Sequence, residues 1–124
     1  SMVKEFGAHV NHATNDGATP LFVAVQQANI DMMRCLVNEL GADANQAENG
    51  GATPLFMAAQ KGDIDVVWCL VKELGADVNR AAEHGATPLF IAAQEGNLDV
   101  VRCLVTEFDA DVNRAMHDEV SPLM

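Results

Sequence analysis

The hexapeptide GATPLF occurs at residues 17–22, 51–56 and 85–90, each copy 34 positions after the last. A fixed period of this length means that the chain repeats one unit of supersecondary structure. Such a unit is too small to bury its apolar face alone, so copies must stack. Residues 46–79 and 80–113 agree at 22 of 34 positions, which sets the register of the repeat from the chain itself. Residues 12–45 keep the template with departures: Val25 in place of Ala, Ala28 in place of Gly, Met32-Met33 in place of Val-Val. VKEFGAHVN at residues 3–11 matches VKELGADVN at 71–79, and SPLM at 121–124 falls 34 positions beyond TPLF. Residues 3–124 therefore read as one domain. It comprises a partial repeat 3–11, complete repeats 12–45, 46–79 and 80–113, and a partial repeat 114–124. Ser1-Met2 reads as a tag remnant and start codon, and the whole as a piece of a longer array.

Local signals within the unit agree with one another. Thr53 followed by Pro54 is an N-cap followed by proline at the first helical position, where its missing N–H costs nothing. A helix is predicted from Pro54 to about Lys61, packing through Leu55, Ala58 and Ala59 and ended by Gly62. Asp63 caps a second helix whose Ile64, Val67 and Leu70-Val71 recur at helical spacing. Gly75 closes that helix, and ADVNRAAEHGA forms an extended turn to the next Thr-Pro.

Gly-x-Thr-Pro-Leu, then Ala-Ala, then a helix-breaking Gly, then GADVN: this pattern resembles the ankyrin repeat, over essentially the whole chain. The resemblance implies an all-α ankyrin-repeat solenoid of stacked helix-turn-helix units joined by extended turn or hairpin loops. Two departures carry information. The family usually places His after Thr-Pro-Leu, whereas Phe22, Phe56 and Phe90 stand here, so packing is expected to replace a hydrogen bond. The period is 34 where the family's is usually 33, owing to Leu40, Leu74 and Phe108 before the loop. These extra residues are expected to lengthen or bulge the end of the second helix and to tuck inward. Ala28 sits where the other copies have Gly62 and Gly96, at a cost of about 1 kcal/mol if it turns left-handed, so Asn29 is expected to absorb that conformation. Asp109 for Gly75 is a tolerable exchange, and Glu119 for Gly85 predicts a distorted last turn.

Seven basic against 18 acidic residues give a formal charge of −11. A surface so negative repels phosphate backbones and anionic lipid, which argues against nucleic-acid and membrane partners. No apolar run is long enough to cross a bilayer. Cys35, Cys69 and Cys103 recur at the same 34-residue spacing. In neighbouring helices they would lie roughly 8–10 Å apart, beyond disulfide reach. They read as reduced core filler in a cytosolic or nuclear protein.

Nothing in the sequence assembles a catalytic centre, a phosphate loop or a metal site, and no cofactor is expected. His9 and His12 read as a solvated pair, and Asp63 as a helix cap. The copies differ from one another chiefly in two places. One is the turn tip: Asn15 and Asp16, Glu48 and Asn49, Glu83 and His84, His117 and Asp118. The other is the end of the first helix: Gln26 and Gln27, Gln60 and Lys61, Gln94 and Glu95. In ankyrin repeats both zones line the concave groove that grips a protein, so these fourteen positions are the candidate partner-binding residues. Their acids, set against Lys61 alone, suggest a protein or peptide partner carrying Lys or Arg. A structural spacer is the alternative. A third reading makes Asn45, Asn79 and Asn113 resemble loop asparagines hydroxylated in some ankyrin repeats, although the family also uses that Asn to bond the loop. Trp68, aligned with Arg34 and Arg102, is expected on the convex back, lying flat over aliphatic stems or offering a second contact. Apolar surface near Phe6, Val10 and Leu123 is expected to favour end-to-end association.

Overall fold

Every Thr-Pro starts a helix. In the computed structural model, which describes residues 11–15 and 17–113, these first helices are α1 (Pro20–Gln26), α3 (Pro54–Lys61) and α5 (Pro88–Gln94). The hydroxyls of Thr19, Thr53 and Thr87 accept hydrogen bonds from the amides of Phe22, Phe56 and Phe90 at 3.2, 3.2 and 3.1 Å. All three threonines are buried, so each cap is part of the packed interior and not a surface contact. The predicted packing residues Leu55, Ala58 and Ala59 are essentially inaccessible.

The second helices are α2 (Ile30–Arg34), α4 (Ile64–Trp68) and α6 (Leu98–Arg102). Each runs on into one π-helical turn: Cys35–Glu39, Cys69–Glu73 and Cys103–Glu107. The amides of Leu40, Leu74 and Phe108 donate to the carbonyls of Cys35, Cys69 and Cys103 at 3.1, 3.1 and 3.2 Å, five residues back. A π turn accommodates an added residue without breaking the helix, and this is where the 34th residue of the period goes. Leu74 is buried, and Leu40 and Phe108 are half-buried against the core, as the inward tuck requires.

Between the two helices of each unit the chain turns through a left-handed residue. Gly62 (φ 78°) and Gly96 (φ 75°) fill that role in the second and third units. In the first unit the sequence-based expectation fails: Ala28 itself is left-handed (φ 56°) and Asn29 is not (φ −91°). Asn29 is instead held by the next helix, its side chain accepting from the Met32 amide at 3.1 Å. The amide geometry explains the outcome, since Asn29 N–H donates to Ala24 at 2.9 Å, as Asp63 and Asn97 do to Ala58 and Ala92. That closing bond fixes which residue must turn left-handed. Asp109 occupies the corresponding bend after α6 (φ 57°), as expected for Asp in place of Gly75.

The first helices lie side by side, α1 against α3 and α3 against α5, and each packs on its own second helix. Leu21, Met33, Leu55, Val66, Leu70, Val100 and Leu104 are fully buried along one elongated core that runs through all three units. Phe22 is buried and Phe56 half-buried, so packing does replace the family's histidine at those joints, whereas Phe90 stays 40 % exposed. Cys69 and Cys103 are buried and Cys35 half-buried, all with free thiols. No strand occurs among the described residues. The connecting segments fold as tight hairpin-like turns, in which Thr14, Glu48 and Ala82 donate to Ala18, Ala52 and Ala86.

Candidate partner-binding groove

The turn tips form one row. At the second tip the Glu48 carboxylate accepts from the amides of Gly50 and Ala52, so it braces its own turn and is half-buried. Asn49 donates from its side chain to the Asn15 carbonyl at 2.7 Å, and the Glu83 amide donates to Gly50 at 3.1 Å, which ties each tip to the next. A Cβ on Gly17 would stand 2.5 Å from the Asn49 amide nitrogen, so glycine there is a condition of the tips' close approach. At the third tip a short 3-10 turn (Glu83–Gly85) holds His84 left-handed (φ 64°), with the side chains of Glu83 and His84 exposed.

The ends of the first helices form the second row. Gln26, Gln27, Gln60, Lys61, Gln94 and Glu95 are all exposed. Lys61 is nevertheless committed: its ammonium donates to the Gln26 carbonyl of the preceding unit. Asn97 closes the following joint, its side-chain amide donating to the carbonyls of Ala59 and Gln60 at 2.9 and 3.0 Å. Ala86 is buried, and Ala18 and Ala52 are half-buried between the rows, which keeps the floor shallow.

Of the fourteen candidate positions, then, Glu48, Asn49 and Lys61 are drawn into the fold. Asn15, Gln26, Gln27, Gln60, Glu83, His84, Gln94 and Glu95 present exposed side chains, and Asp16, His117 and Asp118 lie outside the described residues. So do His9, Glu119, Phe6, Val10 and Leu123. The bracing roles of Glu48 and Lys61 have no local signal, because their partners follow from turn geometry or belong to the neighbouring repeat.

Behind the loops runs a ladder of asparagines. The side-chain oxygens of Asn11, Asn45 and Asn79 accept from the amides of Asp43, Asp77 and Asp111 at 2.8, 2.7 and 2.9 Å. Asn11 and Asn45 also donate to Gly41 and Gly75. Each rung joins one unit's loop to the next, which accounts for the recurring Asn structurally. On the second helices, Arg34 donates through two nitrogens to Glu73 at 2.8 and 3.0 Å. That hydrogen-bonded pairing holds the Glu73 carboxyl below its ordinary range. Trp68 is 36 % exposed on the second helix and has an aromatic neighbour that its alignment with Arg34 and Arg102 did not reveal. It meets Phe108 edge-to-face with ring centroids 4.9 Å apart, so the extra residue of the third unit serves as its partner. Burial pushes the thiols of Cys69 and Cys103 upward, away from reactive thiolate.

Two family models cover nearly the whole chain. Ankyrin repeats (3 copies) matches residues 1–82, and Ankyrin repeat matches residues 84–117. The chain belongs to the ankyrin repeat family. Comparison with curated proteins finds no match. The described candidate residues lie on the turn tips and at the ends of the first helices, and ankyrin repeats are in general protein–protein interaction modules. No group of three or more His, Cys, Asp or Glu among the described residues could hold a metal ion, and no described helix is long and apolar enough to cross a membrane.

Proposed function

We propose that this ankyrin array is a non-catalytic interaction module that holds an extended or helical protein segment rich in Lys and Arg between its two rows. The observation that carries this reading is the fate of the charges. Lys61, the one cation among the fourteen candidate residues, is tied to a backbone carbonyl. Glu83 and Glu95 remain exposed and enter no ion pair among the described residues. A surface with exposed carboxylates and a shallow floor favours a basic chain over a small molecule that needs a deep pocket. Three free cysteines fit the reducing interior of a cell, cytoplasmic or nuclear, which we propose as its setting.

The test is selection of peptides from a random display library on the immobilised chain. Enriched sequences are expected to carry Lys or Arg, and their affinity to fall as salt rises from about 0.1 to 1 M, where the screening length shrinks from roughly 10 to 3 Å. Combined Gln60→Ala, Glu83→Gln, Gln94→Ala and Glu95→Gln substitution should abolish capture. Enrichment without basic residues, or capture that survives this variant, would defeat the reading; survival would leave the array as a spacer.

A further inference from the structure

Residues 34 apart should be equally buried if every unit had the same neighbours, and large apolar exceptions fall on two faces. On the first unit, Pro20 is exposed where Pro54 and Pro88 are fully buried. Val23 is 41 % exposed where Ile91 is buried, and Met32 is 46 % exposed where Val66 and Val100 are inaccessible. On the third unit the reverse set is open. Ala93 is exposed where Val25 and Ala59 are buried, Phe90 is 40 % exposed where Phe22 is buried, and Leu98 is 57 % exposed where Ile30 and Ile64 are half-buried. Phe90 and Ala93, with Leu89, Val101 and Val105, line a depression of about 330 Å³ on this face.

The two faces are the halves of one joint. The first carries the residues that each internal unit turns toward the unit before it, and the second carries those turned toward the unit after it. At the internal joints the first helices pack α1 against α3 and α3 against α5, and the counterparts Val25, Ala59, Val66, Ile91 and Val100 belong to one continuous core. Residues whose counterparts are covered at the internal joints are therefore exposed at opposite ends of the described array.

We propose that the third-unit face of one copy docks on the first-unit face of a second copy, reproducing an internal joint between molecules. The contact is heterologous, so it leaves both outer faces free and grows into longer rods as concentration rises. Charge opposes it. Asp31 stands fully exposed beside the first face, Glu95 and Asp99 are exposed beside the second, and the whole chain is at −11. Screening that repulsion with salt strengthens the association. This is the opposite of the salt response expected for a basic segment in the groove, so the two proposals stand or fall separately.

The experiment is sedimentation equilibrium of the 124-residue chain from micromolar to millimolar concentration, at about 0.1 and 1 M salt. Two variants each block one face at an exposed first-turn position where an acid suits the helix dipole: Met32→Glu and Leu98→Glu. Circular dichroism confirms that both fold. The wild type is expected to rise beyond dimer mass with concentration, more so in high salt. Each variant alone should associate at least about tenfold more weakly, since docking would bury an unpaired charge. An equimolar mixture should form a heterodimer and stop there, because Met32→Glu keeps the one face and Leu98→Glu the other. A wild type that stays monomeric at millimolar concentration in high salt, as would follow if residues outside 11–113 covered either face, overturns the proposal. So does a mixture that forms no heterodimer.

Discussion

Ala28→Gly should stabilise the protein, against the general rule that substitutions destabilise. Ala28 is left-handed (φ 56°) at the bend where the other units place Gly62 and Gly96. An L-residue pays about 1–2 kcal/mol for that conformation. Glycine removes the penalty but loses roughly 0.4–1 kcal/mol through its freer unfolded state. The net gain is about 0.5–1 kcal/mol, seen as a rise in urea midpoint of roughly 0.3–0.5 M at unchanged m-value. The reverse substitutions sharpen the test. Nothing lies within 4 Å of a Cβ added to Gly96, so Gly96→Ala should lose only the strain, about 0.5–1 kcal/mol. A Cβ on Gly62 would stand 2.9 Å from the Asn97 side chain, which bonds Ala59 and Gln60, so Gly62→Ala should cost at least about 1 kcal/mol more. Destabilisation by Ala28→Gly, or equal losses for the two glycines, would refute the reasoning.

Thr53→Ala should lower stability by about 1–2 kcal/mol in chemical denaturation, because it removes the buried hydroxyl that caps the Phe56 amide, while Thr53→Ser keeps the cap and most of the stability. Glu73→Gln should show a pH-dependent defect. The Glu73 carboxyl is depressed by its bonds from Arg34, so the pair stabilises above the ordinary glutamate value of 4.5 and is lost as pH falls through the lowered value. Unfolding midpoints of variant and wild type should therefore differ at neutral pH and converge in strong acid. Under native conditions a thiol reagent should label Cys35, which is half-buried, well before the buried Cys69 and Cys103, with all three reacting in denaturant.

What the sequence disclosed follows from what is local. The Thr-Pro caps, the Gly62 bend and the core positions of α3 depend on residues within one turn of each other, and each appears where the pattern puts it. The 34-residue period even located the added residue, since a helix can admit one more only by widening a turn. Relations between units were not legible. Which residue turned left-handed at Ala28 depended on the closing bond from Asn29 to Ala24, and not on the greater tolerance of Asn for that region. Trp68 found Phe108, and Lys61 found a carbonyl in the preceding unit, because stacking brings together positions that are 35 to 40 apart in the chain. The candidate rows were nameable from variation among copies, but that Lys61 is held against a carbonyl of the preceding unit required the structure.

Amide chemical-shift mapping of a display-selected Lys/Arg-rich peptide on the isotope-labelled chain puts the partner question most directly. A segment held between the two rows shifts the amides around Gln60, Glu83, His84, Gln94 and Glu95 and leaves Trp68, Lys72 and Thr106 unmoved. Shifts concentrated on those three second-helix positions, with the rows silent, would contradict the account.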